Sequence, residues 1–170
     1  MNGKTIKRLI SVIVCVMVMS VAYSQTSSHM EFLGIPINGS SHNFLKRLES
    51  KGFVQEGNHY TGVFIKRKVM VGPLIENGVF YGVHIAFTDL DTQGGCSYFA
   101  ENHHMPALAD MYGMEFSEYE SSNPDVPYIY NAVNEVGWIM VCVQYVNEYY
   151  CGIDVQIIDI DNARRSGFFN

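Results

Sequence analysis

The stretch FYGVHIAFTDLD at residues 80–91 returns near the other end of the chain as YCGIDVQIIDID at residues 150–161. Gly82 matches Gly152, Asp89 matches Asp159 and Asp91 matches Asp161, while Val83, Ile85 and Phe87 are answered by Ile153, Val155 and Ile157. Apolar positions alternate with a period of two, which places one set of side chains on one face of a pleated strand. A strand pattern that occurs twice predicts a duplicated unit, and that constrains the fold more than any single motif.

The segment ahead of each copy supports the same reading. In the first half, Ser40 or Ser41 can cap a helix whose apolar stripe is Phe44, Leu45 and Leu48, with Lys46, Arg47 and Lys51 near its negative end. Gly52 stops it, and Phe53 can fold back on the last turn. Strands are expected at 60–65, 68–75 and 79–88, the last two joined by the turn signal Glu76, Asn77, Gly78. In the second half a helix is expected over 96–112, contributing Phe99, Leu108, Met111 and Tyr112 to the core and closed by Gly113. Pro106 predicts a kink or a restart near Met105, since its ring removes an amide and crowds the preceding turn.

The strand copies lie 70 residues apart and the helix-closing glycines 61, so nine extra residues fall in the second half. They belong to the acidic stretch 115–127, expected as a long loop. A short helix at 128–135, a hairpin from 137–146 and 150–160, and a polar tail at 161–170 complete the expectation. The expected fold class is α+β: two tandem helix-plus-antiparallel-strands units, residues 30–92 and 93–162, with both helices packed on one face of the sheet.

Residues 1–24 begin with Lys4, Lys7 and Arg8, continue as a short apolar run and end on Ala22, Tyr23 and Ser24, the pattern of an export signal. Its apolar core is shorter than the ~20 residues a membrane span needs. Cys15 follows Val14, which disfavours lipid attachment. The expected location is the periplasm or the extracellular space, with no transmembrane segment after signal cleavage. The remaining 146 residues fit a single domain, 25–170, and carry eight basic against seventeen acidic residues, a net charge of −9. Nucleic acid is excluded as a partner, because phosphate binding depends on neutralising cations and the only basic clusters are Lys46 with Arg47, residues 66–68, and Arg164 with Arg165.

Three cysteines remain after the signal. Export permits a disulfide, but Cys151 shares a strand face with Ile153, Val155 and Ile157, whereas Cys142 lies opposite to Ile139, Val141 and Val143. Partners across a ladder lie on one face, so Cys96, Cys142 and Cys151 are expected as free thiols.

The run GIPING at 34–39, the helix ending Lys51-Gly52-Phe53, the pair Tyr112-Gly113 and the closing Asp159-x-Asp161-Asn162 resemble a group of small exported proteins of anaerobic Gram-negative gut bacteria. The resemblance spans nearly all of the chain after the signal, carries no assigned activity and transfers no catalytic residue. In outline the repeated helix-plus-strands order is also similar to β-lactamase-inhibitor-like modules and outer-membrane-assembly lipoprotein modules, a likeness of fold alone.

Candidate chemistry is sparse. Asp89, Asp91, Gln93 and Gly94 have the spacing of the first half of a calcium loop, but the twelfth position is Ala100 and Glu101 falls one residue late. No cofactor is therefore expected. His103 and His104 are adjacent and diverge on a helix, which disfavours joint ligation of one metal. Cys96 with His103 or His104 admits a thiol nucleophile and its base, and so a cysteine- or metal-dependent hydrolase as the alternative function. Tyr119, Tyr128 and Tyr130, in or beside the acidic stretch, offer contact area at small entropic cost and are the expected binding residues. The leading expectation is an exported, non-enzymatic binding module for a protein or cell-envelope component.

Overall fold

In the computed structural model, residues 28–89, 91–147 and 149–169 are described; the signal at 1–24 lies outside them. The first apolar run folds into a ribbon of β1 (Glu31–Phe32) and β2 (Ile35–Pro36), turning through Leu33 and Gly34 at φ 54° and 72°. Helix α1 (Ser41–Ser50) starts where Ser40 Oγ accepts from the Asn43 amide and buries Phe44 and Leu48, one turn apart. At its end Gly52 takes φ 90°, and the Gly52 and Phe53 amides donate to the Glu49 and Leu48 carbonyls, a double closure that lays the Phe53 ring against Gly62.

Four strands follow: β3 (Val54–Glu56), β4 (His59–Phe64), β5 (Arg67–Glu76) and β6 (Val79–Phe87). After the two-residue β7 (Asp91–Thr92), a helical run comprises α2 (Gln93–Phe99), a π-turn at Ala100–His104 and α3 (Met105–Tyr112). The Met105 amide donates to the Ala100 carbonyl five residues back. This widening sits just before Pro106 and relieves the clash a proline ring makes inside a regular helix. The chain then forms β8 (Ser117–Glu120), β9 (Tyr128–Val133), β10 (Gly137–Tyr145), β11 (Tyr150–Asp159) and α4 (Ile160–Ser166).

The strand order β3-β4-β5-β6-β11-β10-β9-β8 overturns the expected fold class. The protein is mostly β, and its halves are not tandem helix-plus-strands units; eight strands run antiparallel in one continuous sheet, with β7 pairing separately to β11. The two repeated segments are β6 and β11, side by side in the middle, with Ile85 opposite Val155. Pairing them satisfies the edge of each, which two separate sheets would leave open. Close approach at this seam requires Gly82, where a Cβ would come within 2.7 Å of the Ile157 carbonyl oxygen. Local expectations change as well. Residues 128–135 hold a strand, since the period-two set Tyr130 and Ala132 faces the core, and residues 115–127 contain β8. The polar tail forms α4.

Val69, Val71, Val83, Ile85, Ile139, Val141, Val155 and Ile157 make the inner face of the sheet, covered by α1, the N-terminal ribbon and the α2–α3 run. Among the described residues the opposite face is covered at one end, where Ile158, Ala163 and Tyr81 pack with Leu74, Trp138 and Phe168. No helix among the described residues is long and apolar enough to cross a membrane.

Two links close the structure. Cys96 in α2 and Cys151 in β11 form a buried disulfide across 55 residues, so the expectation of three free thiols is corrected; among the described cysteines Cys142 alone is free. Strand parity correctly separates Cys142 from Cys151, which lie on opposite faces, but parity says nothing about a helix laid over the inner face. The second link is Asp159, wholly buried, whose carboxylate accepts from the Met30 amide at 2.9 Å, the Asn162 amide at 2.9 Å and His29 Nδ1 at 3.0 Å. Asn162 Nδ2 in turn donates to the Ile37 carbonyl at 2.8 Å. Asp159 thus caps α4 and clasps the start of the described chain to its end.

Cys151→Ser is expected to cost about 3–4 kcal/mol of unfolding free energy, from the loop the disulfide closes. Asp159→Ala is expected to cost ~2–3 kcal/mol, because it removes a cap and leaves buried donors unpaired. Denaturant titration of each variant measures both; a loss under half a kcal/mol for Asp159→Ala would rule out the clasp as a stabilising element.

Candidate functional site

The three expected binding tyrosines separate. β8 pairs with β9, setting Tyr119 opposite Ile129 and Glu118 opposite Tyr130. Tyr119 therefore stands on the open face and is 61% exposed, whereas Tyr130 turns inward and is 4% exposed. Tyr130 donates its hydroxyl to Glu101 Oε1 at 2.8 Å, tying β9 to the π-turn, and burial together with that acceptor raises its pKa well above the ordinary phenol value. Tyr128, on the same side, is half-buried against the core. Only Tyr119 of the three is largely exposed.

The open face has a defined apolar order. In register across the whole sheet run Val54, Thr61, Met70, Ala86, Asp154, Cys142, Ile129 and Tyr119. Val54, Val63 and Val133 on this face are 62%, 66% and 65% exposed. Its one carboxylate in the row, Asp154, pairs with His84 Nε2 at 3.3 Å. Burial, aided by the Asp154 charge, pushes the Cys142 thiol up to about 11, so it stays protonated at neutral pH. A thiol in that state is no nucleophile.

Cys96, the expected nucleophile of the hydrolase alternative, is held in the disulfide and has no thiolate to offer. His103 and His104 sit in the π-turn and part company there. His103 is exposed and lies beside the rings of Tyr98 and Phe99. His104 is 1% exposed, packs edge-on against Phe87 with centroids 4.3 Å apart, and donates Nδ1–H to the Phe99 carbonyl at 2.8 Å. Its Nε2 has no hydrogen-bond partner among the described residues. Asp89 is exposed and accepts from Arg67 Nε at 3.4 Å; the side chains of Asp91 and Gln93 lie outside the described set. Among the described residues no three His, Cys, Asp or Glu side chains gather to hold a metal.

No family model, curated protein or solved structure matches this chain.

Sequence reasoning missed the surroundings of His104. The hairpin between β4 and β5 turns through Ile65 and Lys66 at φ 49° and 61°, left-handed values that a β-branched residue adopts only under strain. Arg67, next in sequence, lies with its guanidinium 4.9 Å above the Phe99 ring. The basic cluster at 66–68 is visible as composition; that Lys66 and Arg67 share a cleft with the two histidines depends on the tertiary fold.

Burial, the largest cause, lowers the His104 pKa; the Phe99 carbonyl opposes this, and the charges of Arg67 and His103 add to the lowering. Its folded value lies below the unfolded 6.5, so the unfolded chain takes up this proton first. The associated stability is intact above about pH 6.5 and falls as pH drops through that value. The melting temperature of the wild type should therefore fall more steeply between about pH 7 and 5 than that of His104→Phe. Parallel profiles would show that His104 does not titrate differently in the two states.

Proposed function

We propose that this protein is an exported, non-enzymatic binding module that takes an extended segment of a partner protein along the free edge of β8. The observation that carries this is the two-faced edge strand itself. β8 ends the sheet, pairs only with β9 among the described residues, and alternates Glu118 on the inner side with Tyr119 on the open side. An added strand would continue the apolar row beyond Tyr119 and Ile129 with one set of side chains, and meet Glu118 with the other.

Charge selects the occupant. Residues 115–125 hold Glu115, Glu118, Glu120 and Asp125 and no lysine or arginine. A second copy would bring the same acids to the same edge, and like charges facing across strands are unfavourable. A segment alternating apolar and basic residues fits both sides. The buried Cys96–Cys151 disulfide supports an oxidising compartment, and an envelope location would place such a module among exposed chain segments.

The test is fluorescence anisotropy with two labelled peptides, alternating Val-Lys and alternating Val-Glu. The Val-Lys peptide should bind saturably and the Val-Glu peptide should not. Glu118→Lys and Tyr119→Ser should each weaken binding about tenfold, equivalent to ~1.4 kcal/mol, without lowering the melting temperature. Binding that ignores both substitutions would exclude the β8 edge as the site.

A further inference from the structure

Independently of the β8 edge, the basic hairpin and the π-turn enclose a cleft of about 510 Å³. Its lining includes Lys66, Arg67, Phe99, His103, His104 and Met111. That volume falls in the ~300–1,000 Å³ range of small-molecule sites. Its chemistry runs against the rest of the molecule: in a chain of net charge −6, two adjacent cations and an exposed imidazole face one opening. Among the described residues Lys66 has no ion pair, and Arg67 has its guanidinium carbon over the Phe99 ring while its Nε reaches Asp89.

His104 supplies the second, independent observation. Its Nδ1–H is committed to the Phe99 carbonyl at 2.8 Å, which makes Nε2 the bare nitrogen of a neutral ring and hence an acceptor. That nitrogen is buried without a partner, a state that structures rarely leave unexplained. A ligand donor that reaches it would satisfy the group, and a ligand lacking one would leave it unpaired.

The geometry points to this cleft as a binding site for a small organic anion that has an apolar body and a hydroxyl or N–H donor. Lys66 and Arg67 take the anionic group, since an ammonium and a guanidinium fork both favour carboxylate or a comparable oxyanion. The ring of Phe99 and the flexible thioether of Met111, half exposed at the rim, take the body. The donor goes to His104 Nε2. Burial keeps His104 in the neutral form that this role requires. The site performs no bond chemistry in this reading; it recognises charge, shape and one hydrogen bond.

The test uses the disulfide-bonded protein labelled with ¹⁵N-histidine and three probes of matched body: 4-hydroxybenzoate, benzoate and phenol. Titration with 4-hydroxybenzoate should shift the His104 Nε2 resonance saturably, as its lone pair accepts the hydroxyl. Benzoate, lacking the donor, and phenol, lacking the charge, should each bind about tenfold more weakly or not at all. Lys66→Gln should weaken 4-hydroxybenzoate about tenfold while leaving the His104 resonances of the free protein in place, which shows that the fold around the π-turn is intact. Arg67→Gln should do the same, with the melting temperature reporting any loss from its Phe99 and Asp89 contacts. An unmoved His104 resonance at millimolar 4-hydroxybenzoate, equal affinity for benzoate, or undiminished binding by Lys66→Gln would each overturn the proposal. None of these outcomes depends on peptide binding at β8, so the two sites stand or fall separately.

Discussion

The seam between β6 and β11 is the interaction on which the rest of the structure depends. Two meanders, β3 to β6 and β8 to β11, each carry an apolar inner face and an edge of unpaired backbone groups. Joining them edge to edge satisfies both edges at once and makes one continuous face to be covered by helices. Register at the seam is set by parity: a slip of one residue would send Val83, Ile85, Val155 and Ile157 to the open side. Ile85 and Val155, equivalent in the repeat, meet across the seam, and the antiparallel run exchanges the other positions about them, so that Val83 faces Ile157. The pair that diverged, His84 and Asp154, lies diagonally across it, with Nε2 3.3 Å from the carboxylate.

Once the seam exists, the helices and the ends of the described segment have defined places. The α2–α3 run lies over the inner face and is fixed there three ways: by the Cys96–Cys151 disulfide, by Tyr130 donating to Glu101, and by Tyr112 donating its hydroxyl to the Glu31 carbonyl at 2.9 Å. Asp159, the last residue of β11, does the corresponding work between residues 29–30 and α4. It is also one of the acids shared by the two copies of the repeat, yet its counterpart Asp89 is exposed and meets Arg67. Identical residues at equivalent positions therefore serve different purposes, because β11 runs directly into the helix that Asp159 caps, whereas β6 leads into the short strand β7.

The candidate surfaces were legible to different degrees. Tyr119 could be read from sequence, since the acidic stretch around it differs from everything else in the chain. Tyr130 could not be told apart from it by composition; strand parity within β9 buries one and the sheet edge exposes the other. His103 and His104 were readable as a pair, and Pro106 as a disturbance in their helix. What the pair would face was not readable, because Lys66 and Arg67 come from a hairpin nearly forty residues earlier and reach the π-turn only through the stacking of helix on sheet. The same is true of the thiols: parity on two neighbouring strands excluded one pairing, while the actual partner of Cys151 arrives from another layer.

By itself, the sequence determined the local periods and their punctuation: the alternating strands, the capped and Gly-terminated α1, the Asn77-Gly78 hairpin, and the acid-rich stretch without cations. These follow from steric and hydrogen-bonding preferences that act over a few residues. Tertiary structure alone decided that the two halves share a single sheet, that Cys96 meets Cys151, that Asp159 clasps Met30 to α4, and that a buried imidazole shares a cleft with a basic hairpin. Each of those pairs residues far apart in the chain, and the free energy that selects them comes from burying a common face and satisfying strand edges, quantities that no local window contains.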